Sequence, residues 1–326
     1  MSANDDQQLE AAVARAAAVI AGAERVTLVC HVSPDGDALG STLALHHVLL
    51  AAGVDSVASF PPPFVVAPHY RDLPGLELLT PPEQVAHEPE VMVTFDCGAL
   101  ARLGDLETNA KAANELIVVD HHASNERYGT INVIDPAAAA SGVLVRRLVA
   151  ALGLPLTRDA AICLYAALIC DTGRFQYEST TCDVFGLAQE LAQFDLPIAA
   201  LSRTLFEEHR FAYLQLVADV LGRAELVPEK HFVWTKVTQD DLERRDVTFE
   251  EVEGMIDLVR RTREAEVACV LKEADDGAWR VSLRSLGAVD VCKIAQHEGG
   301  GGHRFAAGFT SDDPAEEVVK RLLAEL

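Results

Sequence analysis

Basic side chains are scarce in this chain. Lys and Arg number 27 against 50 Asp and Glu, so its 326 residues carry a formal charge of −23. Proteins that grip long nucleic acid neutralise many phosphates with cationic side chains, and so acidic a chain repels polyanions at long range. The composition therefore argues against a groove for long duplex nucleic acid and leaves room for a small anion in a local pocket. Aromatic residues are also few, at 6%, while 49% of the residues are hydrophobic, which is the balance of a globular protein with an aliphatic core. The seven cysteines, Cys30, Cys97, Cys163, Cys170, Cys182, Cys269 and Cys292, are scattered, odd in number and without a CxxC pair. They read as buried thiols in a reducing compartment, not as a disulfide framework or a thiolate zinc site. No apolar run reaches the roughly 20 residues of a membrane span. The opening MSANDDQQLE is acidic, where a secretory leader needs a basic region. The expectation is a cytoplasmic protein with no membrane partner.

What is present is an alternation of strands and helices. Residues 26–31 (VTLVCH), 90–98 (EVMVTFDCG) and 115–122 (ELIVVDHH) are apolar runs that end in polar residues. Helical patterns occupy residues 38–53, 141–152 and 158–170. Continuous apolar runs bounded by turns and separated by helices predict a parallel sheet covered by helices on both faces, an α/β domain. The proline-rich residues 59–70 read as a loop or an edge. Residues 196–222 read as a helical connector, after which the pattern changes. HFVWTKV, EVACVLKEADDGAWRVSLRS and HRFAAGFT read as strands, and FEEVEGMIDLVRR and DPAEEVVKRLLAEL as helices, of a smaller α+β unit with a mixed sheet. The DDG at 275–277 supplies a hairpin turn. The expected organisation is residues 1–195 as a metal-binding catalytic domain, 196–224 as a helical linker and 225–326 as a substrate-binding domain.

Acidic residues and histidines stand where the apolar runs stop. HVSPDGDALGS supplies His31, Asp35 and Asp37; TFDCG supplies Asp96; VVDHHASN supplies Asp120, His121 and His122. ICDTGRFQYEST adds Asp171 at the end of a helical run. Parallel strands present their carboxyl ends on one edge of the sheet, so these groups can converge. Crowded carboxylates raise one another's pKa and oppose folding unless a cation lies between them. Oxygen donors with two imidazoles and no thiolate favour Mn²⁺ or Mg²⁺ over zinc, and the donors outnumber what one ion needs. Two divalent ions about 3.5–4 Å apart can acidify a water and clamp a phosphoryl group. Each of these Asp residues taken singly is equally a turn or helix cap; the convergence gives them a common purpose. Neighbouring strand residues face opposite ways, so His121 and His122 are expected to do different jobs.

In order and length, HVSPDGDALGS, VVDHHASN, CDTGRFQY and GGGGHRFAAGF resemble the DHH phosphoesterase superfamily, and within it the NrnA-type nanoRNase and pAp-phosphatase branch, from about residue 26 to 309. The resemblance implies that His31, Asp35 and Asp96 hold one metal and that Asp37, Asp96, His121 and Asp171 hold the other, with Asp96 bridging. It implies Mn²⁺, two ions per site, with Mg²⁺ an alternative. His122 would meet the scissile phosphate and aid the leaving group, and Asp120 would orient an imidazole or its backbone turn; a purely hydrogen-bonding His122 is the competing reading. Arg284, Ser285, Gly301, Gly302 and His303 would bind the far end of the nucleotide. The four glycines beginning at Gly299 are read as backbone open to close approach by an anion. One departure is that DPAAAA continues SGVLVRRL, where the family often has an acidic residue.

The implied activity is Mn²⁺-dependent hydrolysis of short oligoribonucleotides to mononucleotides and of 3′-phosphoadenosine 5′-phosphate (pAp) to AMP. A homodimer is left open. A phosphodiesterase for cyclic di-AMP or pApA would use the same chemistry. A RecJ-like 5′ exonuclease would call for additional basic grooves, and a non-catalytic nucleotide sensor for a lost ligand position; every position here is filled. A pyrophosphatase shares the DHH half but not the glycine-histidine motif.

Overall fold

The computed structural model describes residues 3–326; residues 1 and 2, with which the expected first domain begins, lie outside the described residues. The chain divides into two compact units, Met1–Glu207 and Glu208–Leu326.

The first unit is built on five strands, β1 (Arg25–Cys30), β2 (Asp55–Ser59), β3 (Val91–Phe95), β4 (Glu115–Asp120) and β5 (Ile131–Ile134). All neighbours run parallel in the order β2-β1-β3-β4-β5. Its helices are α1 (Ala3–Gly22), α2 (Gly36–Ala51), α3 (Glu107–Ala112), α4 (Ser141–Ala151), α5 (Arg158–Asp171), α6 (Cys182–Ala192) and α7 (Ile198–Phe206). Alternate strand residues face opposite sides. Leu28, Val93 and Ile117 join the long helices α1, α2, α4 and α5 in one core. Val29, Met92 and Leu116 pack on the other side against Leu103, Leu106 and Ala110, from a 3-10 segment and the short α3. Both faces are covered, one by long helices and one by a thin layer.

The central strands β1, β3 and β4 follow the expected apolar runs to within a residue or two. The edge strands β2 and β5 were not expected. DSVAS and INVI are short and partly polar, and an edge strand needs less apolar surface than a central one.

The second unit carries β6 (Glu225–Val227), β7 (Phe232–Val237), β8 (Val267–Glu273), β9 (Trp279–Ser285), β10 (Gly301–His303) and β11 (Ala306–Ser311), with α8 (Phe211–Gly222), α9 (Gln239–Arg245), α10 (Ile256–Val259), α11 (Val291–His297) and α12 (Ala315–Glu325). Its sheet order is β10-β11-β9-β8-β7-β6. Only β7 and β8 pair in parallel among these strands, so the sheet is mixed. One face packs against α11 and α12 and the other against α8, α9 and α10. The DDG hairpin joins β8 to β9, with Gly277 at φ +80°.

Two expectations differ in detail. The helical connector is two helices, α7 inside the first unit and α8 inside the second. FEEVEGMIDLVRR forms a 3-10 stretch, Glu250–Met255, followed by the single turn of α10.

Candidate metal centre

β1, β3 and β4 are neighbours running the same way, and each delivers a polar residue at its carboxyl end. His31 follows β1, Asp96 follows β3, and Asp120 closes β4 ahead of His121 and His122. Asp96 has φ +54°, a conformation that Asp tolerates better than most residues. Its N–H donates to the Val119 carbonyl at 3.1 Å, which pins the turn.

Two helix ends complete the cluster. Asp35 is the N-cap of α2, its Oδ1 accepting from the N–H groups of Asp37 at 3.1 Å and Ala38 at 3.0 Å. Asp37, in the first turn of α2, is buried and accepts from the Ser41 hydroxyl at 2.9 Å and from the N–H groups of Ser141 at 2.5 Å and Gly142 at 2.9 Å. It thereby caps α4, whose own N-cap, Ala140, has no side chain to do so. Each carboxylate oxygen has two lone pairs, so Asp37 Oδ2 keeps one for another partner. Asp171 is the last residue of α5.

Asp96 is where the groups meet. Its carboxylate lies 3.6 Å from His31 Nε2, 3.4 Å from His121 Nε2 and 3.5 Å from His122 Nδ1, and the Ser141 hydroxyl donates to it at 3.2 Å. His121 Nε2 also faces Asp171 at 3.0 Å and Asp37 at 3.7 Å. The imidazole orientations are set from behind. His31 Nδ1 is 2.8 Å from the Val32 carbonyl and His121 Nδ1 is 3.1 Å from the Ala138 carbonyl. A carbonyl only accepts, so the Nδ1–H tautomer points an Nε2 lone pair into the cluster, the arrangement typical of metal-binding histidine.

Burial pushes the Asp37 carboxyl well above the usual carboxylate range, and Asp96 and Asp171 push it the same way. Burial raises Asp171 to about 6, against its bond with His121. Burial would also raise Asp96, but hydrogen bonding with His121 and His31 holds it well below. His121 responds in kind: burial opposes its charge, yet Asp171 and Asp96 keep its pKa well above that of an ordinary histidine. Carboxylates this close demand positive charge among them. Among the described residues of the first unit, three sets of donor atoms, each set within 4.8 Å, could hold an ion: His31, Asp35 and Asp96; Asp37, Asp96 and His121; and Asp96, Asp120 and His122. Oxygen and imidazole donors of this kind suit Mn²⁺ or Mg²⁺.

The adjacent histidines do take different positions. Asp120 is fully buried and accepts from the His121 N–H at 2.8 Å, from His122 Nδ1 at 2.7 Å and from the Asn125 amide. It fixes both the turn and the second ring. His122 stands edge-on to His121, with ring centroids 5.2 Å apart and planes at 70°. Burial would lower the His122 pKa, but the Asp120 bond raises it.

In the second unit, Arg284 pairs in register with Ala306, and Ala306 pairs with His303. Residues directly opposite share a sheet face, so Arg284 and His303 lie on one face two strands apart. The Arg284 guanidinium is 3.8 Å from Asp257. The Ser285 hydroxyl is held in its turn, donating to Glu266 at 2.9 Å or the Val289 carbonyl at 2.7 Å and accepting from the Gly287 N–H at 2.9 Å. The glycine run is not an open loop. Gly299 and Gly300 end α11, and Gly301 and Gly302 begin the edge strand β10. A Cβ at Gly300 would lie 2.1 Å from the Gly308 carbonyl, and one at Gly302 2.5 Å from the Ala306 carbonyl. These two glycines permit close approach of the chain's own backbone.

Ser141, Asn125 and Arg102 reach the cluster without having been singled out in the sequence. Asn125 lies inside the VVDHHASN motif, and Ser141 reads only as a helix start. Arg102 had no local signal at all.

An imidazole-carboxylate cluster on the carboxyl edge of a parallel sheet is the kind of site that metal-dependent hydrolases carry. Residues 25–168 match the DHH family, N-terminal domain, and residues 231–326 match the DHHA1 domain. The chain is 30% identical to the bifunctional oligoribonuclease and PAP phosphatase NrnA of Thermus thermophilus, over 92% of this chain and 90% of that one. It is 29% identical to the probable enzyme of that name from Streptococcus mutans, over 88% and 89% of the two chains. Among solved structures it is similar in fold to an exopolyphosphatase-related protein from Bacteroides fragilis, with a TM-score of 0.86, 24% identity and coverage of 97% and 96%. It also shares the fold of Mn²⁺-bound RecJ from Thermus thermophilus, with a TM-score of 0.56, 16% identity and coverage of 98% of this chain and 54% of that one. The chain belongs to the DHH superfamily, in its NrnA-type branch. It is a hydrolase of phosphoester bonds, and its family is metal-dependent. No helix among the described residues is long and apolar enough to cross a membrane.

Proposed function

We propose that this chain is a cytoplasmic, Mn²⁺-dependent phosphoesterase that hydrolyses short oligoribonucleotides to mononucleotides and pAp to AMP. The observation that carries the reading is the gathering of His31, Asp37 and His121 around Asp96, with Asp171 against His121 and Asp35 at the adjoining helix cap. The names of the relatives from Thermus thermophilus and Streptococcus mutans support the substrate class. His31, Asp35 and Asp96 hold one cation, and Asp37, Asp96, His121 and Asp171 the second. When bound, the cations supply Lewis acidity that offsets phosphoryl charge and acidifies water.

The chain's own groups do the rest. The Val32 and Ala138 carbonyls keep both ligand imidazoles in the tautomer that bares Nε2. Asp120 holds the proton on His122 Nδ1, so the second proton of a charged His122 resides on Nε2, from which it can pass to the leaving oxygen. Arg284 and His303, with the β10 backbone at Gly301 and Gly302, recognise the far phosphate of the nucleotide. Ser285 keeps the end of β9 in shape for that task.

The test is a panel in Mn²⁺ of 5′-labelled RNAs from two to about twenty-five nucleotides, matched DNA, pAp and cyclic di-AMP. Rapid turnover of dinucleotides and pAp, declining with length, is expected. Sustained digestion of long strands, or activity confined to cyclic di-AMP, would replace this reading with another.

A further inference from the structure

Arg102 lies in the 3-10 segment Leu100–Leu106 that follows β3. Its carbonyl accepts from the Val32 N–H at 2.9 Å, which clamps this segment to the loop after β1. The residue is exposed, and its Nη2 is 3.0 Å from His31 Nδ1. That nitrogen also lies 2.8 Å from the Val32 carbonyl. In the tautomer that bares Nε2, Nδ1 carries the proton and has nothing to offer a second donor. The guanidinium then rests against a donor, and among the described residues no acceptor meets its five N–H groups.

No carboxylate pairs with Arg102 among the described residues. Arg25, Arg146, Arg223, Arg245 and Arg321 all have such partners, in a chain where acids outnumber bases 50 to 27. An exposed arginine fixed by its backbone, with no carboxylate partner and with its guanidinium against the outer nitrogen of His31, is suited to an anion that arrives with the reaction.

We propose that Arg102 binds substrate, its guanidinium donating to a non-bridging oxygen of the phosphoryl group under attack. This rests on the phosphoester reading of the cluster and adds a residue of the first unit to it. Arginine matches the paired oxygens of a phosphate with two parallel N–H donors, which lysine cannot reproduce. The same donors stabilise the charge that develops on those oxygens during hydrolysis.

The test uses the full chain loaded with Mn²⁺ and three measurements: hydrolysis of bis-p-nitrophenyl phosphate and of pAp, binding of inorganic phosphate by calorimetry, and bound Mn²⁺ per chain. Arg102→Ala should lower kcat/KM for both substrates about a hundredfold, as loss of one preorganised donor does elsewhere. It should also weaken phosphate binding about tenfold or more while leaving bound Mn²⁺ unchanged. Arg102→Lys should fall between the two. Should the alanine chain not fold, Arg102→Gln, which keeps a hydrogen-bonding head without the charge, carries the same expectation. Unchanged phosphate binding and kcat/KM would overturn the proposal. So would loss of Mn²⁺, which would make Arg102 a positioning residue for His31. If the parent chain hydrolyses the generic diester but neither pAp nor short RNA, the nucleotide reading fails while the Arg102 comparison still stands on the diester and on phosphate binding.

Discussion

Asp96 occupies a backbone conformation, φ +54°, that costs an L-residue roughly 1–2 kcal/mol. That cost is held in place by its N–H bond to Val119 and by the donors around its carboxylate. Replacing it with Ala keeps the strain and removes the charge, but it also relieves the repulsion that pushes Asp37 upward. The two effects oppose each other in stability. Asp96→Ala should leave the melting temperature within a few degrees and cut kcat about a thousandfold or more, because several kcal/mol of transition-state stabilisation would depend on the cations proposed to sit on it. Activity above a few per cent of the parent would remove Asp96 from the shared position. Asp120 gives a second residue-scale prediction through pH. Its carboxylate raises the His122 pKa against the effect of burial. If His122 delivers a proton, turnover falls as pH rises through that pKa. Asp120→Asn removes the negative charge, so the alkaline limb of the kcat profile should move to lower pH. A limb that stays in place would assign the proton to another group.

The crossing of α2 and α5 brings Asp37 and Asp171 to the same His121 nitrogen, and it depends on the absence of a side chain at Gly40. A Cβ at Gly40 would stand 2.4 Å from the Cys163 carbonyl of α5, a clash with backbone that cannot rotate away. Alanine would improve helix propensity by about 1 kcal/mol, but forcing the helices apart costs typically 1–3 kcal/mol. Gly40→Ala should therefore lower the stability of the chain in denaturant titrations, and lower kcat further than stability alone explains, because Asp37 and Asp171 separate. An unchanged midpoint would mean that α2 shifts without penalty.

None of this was legible in ALGSTLALHHVLLAAG, whose pattern reads as a helix and does not single out Gly40. The same limit applies across the fold. The central strands announced themselves because both of their faces are buried, and their polar ends marked the cluster. β2 and β5 did not, since Asp55, Ser59 and Asn132 dilute their apolar content. Ser141 reaches Asp37 and Asp96 from 104 and 45 residues away, and Arg102 reaches His31 from 71. Such pairings exist only once the sheet has formed. GGGGH was read for its chemistry, while the strand it forms is set by the carbonyls of Gly308 and Ala306, which no local pattern reveals.

At the scale of the whole molecule the governing quantity is the charge of −23. It bears on substrate length in a way that geometry does not. A dinucleotide or pAp brings few charges, and cations in the cluster can neutralise them. Each further phosphate of a longer strand lies over a surface of the same sign, and repulsion accumulates. If this sets the length preference, salt should weaken it, since the screening length falls from about 10 Å at 0.1 M to about 3 Å at 1 M. The ratio of kcat/KM for a dinucleotide to that for a roughly twenty-five-nucleotide strand should shrink severalfold as KCl rises from about 0.05 to 0.5 M. The dinucleotide rate itself should change little. A protein that bound long strands through a cationic path would behave oppositely, losing long-strand activity steeply as salt displaces its phosphate contacts. A ratio indifferent to salt would mean that the limit is steric, set by the groups proposed to grip the far end of the nucleotide. The acidic surface would then serve solubility alone.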